Sequence, residues 1–397
     1  MEMPTLPLAG IRVIDFGRFI AGPYCAMLLA DMGADVVRVD RRQGSEDRYT
    51  GPVTEQGEGG AFISLNRNKR SITLDTSKAE SAGVIAGLVK TADVVVANLP
   101  VGVMKKMGID YESLKALKPD IILARISAFG PDGPYANRLG FDAVVQAMSG
   151  AMSLTGFADN PTRSVVSFED YGTALHTAFG VMAALYHRAR TGEGQIVDGS
   201  LLATGITFMQ AFLAEKSVLE IDREQRGNAA FYSAPADAYR TKDGWIMVQT
   251  IGGDMFARWA RLVGREELIG DPRFATDLSR ADHRALITDA MNAWLASRTT
   301  SEALADLESA RIPAGPVLRL PEVLVDPQVE ARQLLKFLEY PGAPKPVPVA
   351  DTAVRLSATP GGIRRRAPML GEHTDEVLAE IGFSPDEARL LRDAAVV

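Results

Sequence analysis

The chain has 397 residues, 46% hydrophobic and 23% charged, long enough for more than one domain and for a sizeable core. Its formal net charge of −7 offers no basic face to nucleic acid or an anionic membrane, and no apolar run reaches the length of a spanning helix. A single cysteine, Cys25, excludes an intramolecular disulfide and points to a reducing cytoplasm, and the opening MEMPTLPLAG has neither the basic nor the apolar part of a signal peptide.

Ile11 to Phe16 predicts a short strand, Pro23 suits the first turn of a helix that ends near Gly33, and Asp35 to Val39 predicts a second strand. The glycines at 10, 17 and 22 do not make a GxGxxG fingerprint, so a dinucleotide site is not supported. Strand, helix and strand recur over Ser71–Leu74, Lys78–Lys90 and Asp93–Ala97; two short helices then lead to a strand at Ile121–Ile126. Alternation of this kind predicts an α/β fold with a parallel sheet. Ser127 to Gly140, rich in Gly, Pro, Asp and Asn, is a loop at the sheet's carboxyl edge, where such proteins bind ligands.

Ser167 to Gly194 is the stretch around which the rest is arranged. Glu169-Asp170 opens a helix on which Leu175, Phe179, Met182, Ala183 and Tyr186 recur at helical spacing; Arg188 and Arg190 load its last turn and glycines stop it. Asp170 has the residue type and place of an N-cap. It has equally those of a carboxylate nucleophile kept ionised by the helix start, and spacing does not choose between them. Leu201 to Leu219 predicts more helix, a hairpin follows at Ala238–Arg240 and Trp245–Gln249, and Thr374 is the natural cap of a helix at Glu376–Ile381.

The four histidines and one cysteine form no metal-ligand spacing, and no P-loop or GxSxG elbow is present. Basic residues group instead at Arg38, Arg41 and Arg42, at Arg67, Lys69 and Arg70, and at Lys105 and Lys106. Such groups form a solvated rim, or a seat for a polyphosphate if they share one sheet edge.

VIDFGRFIAGPYCAMLLADMGADVVRVD, LNRNKRSITLD, ADVVVANLPVGVMKKMGIDY, Asp170 with its helix and TGEGQ, and GEHTDEVL together resemble the family III CoA-transferases, a group that includes formyl-CoA transferase, carnitine CoA-transferase and α-methylacyl-CoA racemase. The resemblance implies an α/β, Rossmann-like large domain built from both chain ends, with a small central α+β domain and two chains interlocked as a homodimer. On this chain that gives residues 1–225, 226–315 and 316–397 as large domain, small domain and returning segment. It also implies that Asp170 attacks an acyl-CoA thioester to form an anhydride and then an aspartyl-CoA thioester, from which a carboxylic acid takes the CoA. Arg41 matches a phosphate-contacting position; Asn98, Leu99, Lys106 and Met107 match positions along the adenosine and phosphates of CoA; Leu65 and Lys69 lie in another CoA-contacting segment. CoA thioester is then a substrate, with no permanently bound cofactor, no metal, no nucleic acid and no membrane partner.

The racemase branch carries a Gly-His-Asp segment that here reads Gly140-Phe141-Asp142, and phenylalanine cannot move a proton. The formyl-CoA branch has glutamine where this chain has Ile20, and a four-glycine loop where it has Gly227 to Tyr232. A substrate pocket formed by Ile20, Phe141, Asp142, Ala230 and Phe231 is therefore expected to take a larger, partly apolar acid. Three readings stand: an acyl-CoA:carboxylate CoA-transferase, an acyl-CoA racemase or isomerase, and a non-catalytic CoA-binding relative in which Asp170 is only a cap.

Overall fold

Valine- and isoleucine-rich runs form the strands of a parallel sheet in the computed structural model, which describes residues 6–397; residues 1–5, part of the segment read for a signal peptide, lie outside the described residues. Its strands are β1 (Arg12–Asp15), β2 (Asp35–Asp40), β3 (Lys69–Thr73), β4 (Val94–Ala97), β5 (Ile122–Ser127) and, after a small ladder of β6 (Gly156–Phe157) with β7 (Asn160–Pro161), β8 (Ile196–Ser200). They are ordered β3-β2-β1-β4-β5-β8. Strand β8 had no signal in the sequence reading: Ile196-Val197-Asp198-Gly199-Ser200 is short and half polar, as a sheet-edge strand can be.

The period of two sorts the strand side chains onto two faces. Ile14, Val37, Val95 and Leu123 lie in register and share one core with α3 (Ser81–Thr91) and the buried face of α4 (Val101–Met107). Val13, Val36, Val94 and Ile122 fill the opposite core with α1 (Ala21–Asp31) and α8 (Phe168–Thr191). Helices Thr374–Glu380 and Pro385–Asp393 bring Val377, Leu378 and Leu391 into the first core, and Val396 after them joins it. Thr374 does not cap the first of these. It is the first helical residue, and its hydroxyl donates to Gly371 O while accepting from Thr73 N–H, so the hydroxyl ties the helix to β3 instead.

Helix α8 inverts the face its apolar spacing suggests. Gly172, Ala174, Ala178, Val181 and Ala184 are buried, whereas Leu175, Phe179, Met182 and Tyr186 are exposed, Phe179 by 77%. Small side chains let α8 come close to α1 and the sheet, and the large ones are left outward as an unpartnered stripe. The helix ends at Gly192, whose φ of 77° is left-handed and whose N–H returns to Arg188 O.

Two compact units result: the first takes the chain to Gly150 with Ser164–Val218 and Pro327–Val397, the second Ala151–Arg163 and Leu219–Asp326. The second unit carries an antiparallel sheet of β9 (Ala236–Arg240), β10 (Trp245–Gln249) and β11 (Ala314–Pro316), covered by Phe256, Trp259, Phe274 and Met291. It reaches beyond residues 226–315 because Ala151–Arg163 joins it, with Gly227 N–H donating to Gly156 O at 2.7 Å.

Candidate active site

The strand order reverses between β1 and β4, and the crevice outside the carboxyl ends of such strands is where open α/β sheets hold ligands. The chain after β1 and the chain after β4 meet there: Asn98 accepts from Arg18 N–H at 2.7 Å and donates to Arg18 O at 2.8 Å. A Cβ on Gly22 would stand 2.9 Å from Gly17 Cα and 3.1 Å from Asn98 Oδ1, so glycine permits α1 to start against this corner. Arg41, exposed and paired with Glu46 at 2.8 Å, follows β2 on one side of β1. Leu99, half-buried, and the exposed Lys106 with half-buried Met107 at the end of α4 follow β4 on the other.

Leu65 and Lys69 are placed differently. Leu65 ends α2 (Gly60–Leu65) and is buried, and Lys69 opens β3, at the amino end of the strand. Its ammonium, fully buried, donates to Asp15 Oδ2 and Pro23 O at 2.8 Å and to Asn66 Oδ1 at 2.9 Å, which leaves no free cation for a phosphate. Arg67 pairs with Asp31 at 2.6 Å and Arg70 with Asp35 and Glu376, so this basic group braces the fold. Arg38 is likewise buried, held by Asp40 at 2.9 Å and Asp47 at 2.8 Å, and Arg48 reaches Asp40 at 2.8 Å. Burial pushes the Asp15 and Asp40 carboxyls up, but Lys69 and Arg38 beside Asp15, and Arg38 and Arg48 beside Asp40, outweigh it and hold both below the usual carboxylate range.

A second carboxylate group gathers at the start of α8. Asp142, the first residue of α6 (Asp142–Met148), accepts from Glu169 N–H at 2.8 Å and Asp170 N–H at 3.2 Å, and its other oxygen accepts from the Gln146 amide at 2.5 Å. Asp142 therefore caps α8 from another helix, while Ser167, at the cap position, makes no side-chain bond. This removes the cap reading of Asp170: it lies inside the first turn, half-buried, and among the described residues its carboxylate accepts no hydrogen bond. Nor is it held ionised by the helix start, because Asp142 takes the nearby N–H groups. Burial, then Asp142 and Glu169, push Asp170 up to about 7. Glu169 is wholly buried, and burial with Asp142 pushes it up to about 7 as well.

Aromatic contacts join this cluster to the turn after β1. Tyr24 on α1 packs edge-on against Tyr171 at 4.9 Å, and Phe19 against Phe141 at 5.5 Å, so Ile20, Phe141, Asp142 and Asp170 belong to one neighbourhood. Phe19 has a φ of 60°, a conformation unfavourable for a bulky residue, and is 41% exposed. Neither the role of Phe19 nor the depth of Glu169 had a signal in the sequence, since both depend on chain segments distant in sequence. Ala230 and Phe231 belong to the second unit, where Ala230 N–H donates to Ala236 O at 2.9 Å and Arg223 and Arg226 stack on Phe231.

Among the described residues no group of His, Cys, Asp and Glu is arranged to hold a metal, and no helix is long and apolar enough to cross a membrane. The model of CoA-transferase family III matches residues 8–374. The chain is 34% identical to succinyl-CoA–D-citramalate CoA-transferase of Chloroflexus aurantiacus, over 100% of this chain and 99% of that protein. It is 36% identical to succinate–glutarate CoA-transferase of Agrobacterium fabrum (96% and 97% covered) and 35% to succinyl-CoA:mesaconate CoA-transferase of Haloarcula hispanica (97% and 99%). A CAIB/BAIF family protein from Brucella suis, 34% identical, superposes with a TM-score of 0.84 over 95% of this chain and 100% of its own. With its parallel-sheet fold and full-length likeness to these proteins, the chain belongs to CoA-transferase family III and is a CoA-transferase.

Proposed function

We propose that this chain moves CoA from an acyl-CoA donor to a carboxylic acid through covalent intermediates on Asp170. The observation that carries the reading is the Asp170 carboxylate, placed in the first turn of α8 and relieved of capping by Asp142, with no hydrogen-bond or ion-pair partner among the described residues. A carboxylate left in that state is available to attack.

In the ionised form one Asp170 oxygen attacks the thioester carbonyl, and CoA leaves as thiolate, giving a mixed anhydride. The thiolate attacks the aspartyl carbonyl and releases the donor's carboxylate, which leaves an aspartyl-CoA thioester. The acceptor carboxylate then attacks that thioester and displaces the thiolate, and the thiolate takes the new acyl group and frees Asp170. Each tetrahedral stage carries an oxyanion. The N–H groups of Glu169 and Asp170 are both given to Asp142, so the oxyanion donors are other groups.

Arg41 just after β2, Asn98 and Leu99 just after β4, and Lys106 and Met107 at the end of α4 are the proposed CoA contacts, and the buried Leu65 and Lys69 are proposed to support that segment from the framework. The relatives compared above are named for succinyl-CoA or succinate with citramalate, glutarate or mesaconate, so a dicarboxylic acid is the proposed acceptor class. Ile20 and Phe141 are the proposed pocket walls. Phe141 cannot exchange an α-proton, which favours transfer over racemisation. An interlocked homodimer is proposed as well, supported by the exposed stripe Leu175, Phe179, Met182 and Tyr186; light scattering at micromolar concentration should give twice the chain mass, and a monomer with full activity would exclude it.

The test of the mechanism is trapping. With succinyl-CoA and hydroxylamine, the protein should become a hydroxamate at Asp170, found by peptide mass mapping. Turnover without any modification at Asp170 would refute the covalent path.

A further inference from the structure

The three carboxyls at the start of α8 are not equivalent in what surrounds them. Asp142 has N–H donors on both oxygens, from Glu169, Asp170 and Gln146, and is well served as an anion. Asp170 is half-buried, so solvent reaches it. Glu169 has neither advantage: it is wholly buried, and its Oε2 has no partner. Its Oε1 lies 3.2 Å from Ser149 Oγ, which in turn lies 3.4 Å from Gln146 O. Ser149 has one hydroxyl proton and cannot donate to both. Ser149 can donate to Glu169 Oε1 or to Gln146 O, and when it donates to Gln146 O a protonated Glu169 can donate to Ser149.

Every element packed on Glu169 is free of positive charge at this point. Helix α6 presents Asp142 and Gln146, and the turn after it Ser149. Helix α9 (Leu201–Leu219) presents Thr204, whose hydroxyl meets Thr173 and His176 Nδ1, and Gly205. A Cβ at Gly205 would stand 2.6 Å from Glu169 Oε1 and 2.7 Å from Ser149 Cβ, so the α9 backbone lies directly against the carboxyl. Among the described residues, no Arg or Lys pairs with Asp142, Glu169 or Asp170.

We propose that Glu169 is a positioning residue that holds the cluster's proton, a neutral carboxyl donating to Ser149 and sealed between α8 and α9, so that its neighbour Asp170 stands as the anion. A charge is costliest where it is most deeply buried and least hydrogen-bonded, and the proton goes there first. Burial and Asp142 push both carboxyls up to about 7, so the pair holds a proton near neutral pH, and the unpartnered Oε2 in full burial places it on Glu169. The inference rests on the reading of Asp170 as nucleophile only for its consequence, not for the proton's location.

The experiment is infrared titration of the full-length protein without substrate, from pH 5 to 8. A protonated-carboxyl C=O band is expected to persist near neutral pH, to shift in D2O, and to be absent in Glu169→Gln, whose amide keeps the shape and the donor. If Glu169→Gln does not fold, Ser149→Ala should move the same band to higher frequency by removing its acceptor. The acid limb of the transfer rate, which reports Asp170 ionisation, should stay in place in Glu169→Gln, because the amide replaces a carboxyl that is already neutral while Asp170 titrates; a shift down of roughly one pH unit would mean that Glu169 is charged there and overturns the proposal. A folded wild type with no such band at pH 6.5, or a band untouched by both substitutions, overturns the proposal whatever the activity. A band present and lost as expected, in a protein whose Asp170→Asn variant still transfers CoA, keeps the proton on Glu169 and discards the nucleophile.

Discussion

Asp15 and Asp40 are as deeply buried as Glu169, in the same unit and beside the same sheet, yet they are held in opposite states. Lys69, Arg38 and Arg48 face the first pair, and both carboxyls are held below their usual range. The cluster of Asp142, Glu169 and Asp170 has backbone N–H groups and one serine but no cation, and two of its carboxyls rise to about 7. Depth alone therefore does not decide the state of a buried acid; the counter-charge does. Where cations are supplied the carboxylates hold the framework together, and where they are withheld the carboxylates are left without a fixed counter-charge, as the proposed role of Asp170 requires.

The largest expected effect removes the unpaired side of this contrast. Asp170→Asn keeps shape and, with Asp142 still capping α8, should keep the fold, but an amide cannot form the anhydride; the transfer rate should fall by roughly three orders of magnitude or more. Retention of most of the rate in a folded protein would break the distinction between the clusters. On the paired side, Arg38→Met strands Asp47 in the interior and leaves Asp40 with Arg48 alone, and denaturant unfolding should show a loss of about 3–5 kcal/mol. A loss below about 1 kcal/mol would mean that the pairing does little for the framework.

Arg41→Ala tests a cation that is neither buried nor committed, since its partner Glu46 is itself exposed. Calorimetric titration with CoA should show affinity falling about tenfold, near the low end for one charge-assisted contact. An unchanged affinity would leave the phosphate edge of the sheet without Arg41. The smallest effect is a pH dependence. Asp15 and Asp40, lowered by folding, contribute stability that is present above the unfolded carboxylate range and lost as pH falls through their folded values. Glu169, raised by folding, does the reverse: its contribution is present below the unfolded range near 4 and lost as pH rises toward 7. Glu169→Gln should thus gain melting temperature relative to the wild type on going from pH 5 to 8, by on the order of 2–4 °C. A difference that does not change with pH would mean that Glu169 does not titrate in this range.

The sequence by itself determined most of the elements, though not the edge strand β8. Alternating and β-branched runs set β1 to β5, the hairpin of the second unit lies where its turn residues put it, and the helix opening at Glu169-Asp170 stops at its glycines. Family motifs were also legible, because they are contiguous. Only the tertiary structure decided which side chains meet. Asp142 caps a helix that begins 26 residues later, Lys69 turns inward to Asp15, and the large apolar residues of α8 face outward while its small ones pack. The physical reason is one of range. Backbone preference and apolar period act within a turn or a strand, whereas burial, capping from a distance and the pairing of charges depend on segments that only the fold brings together.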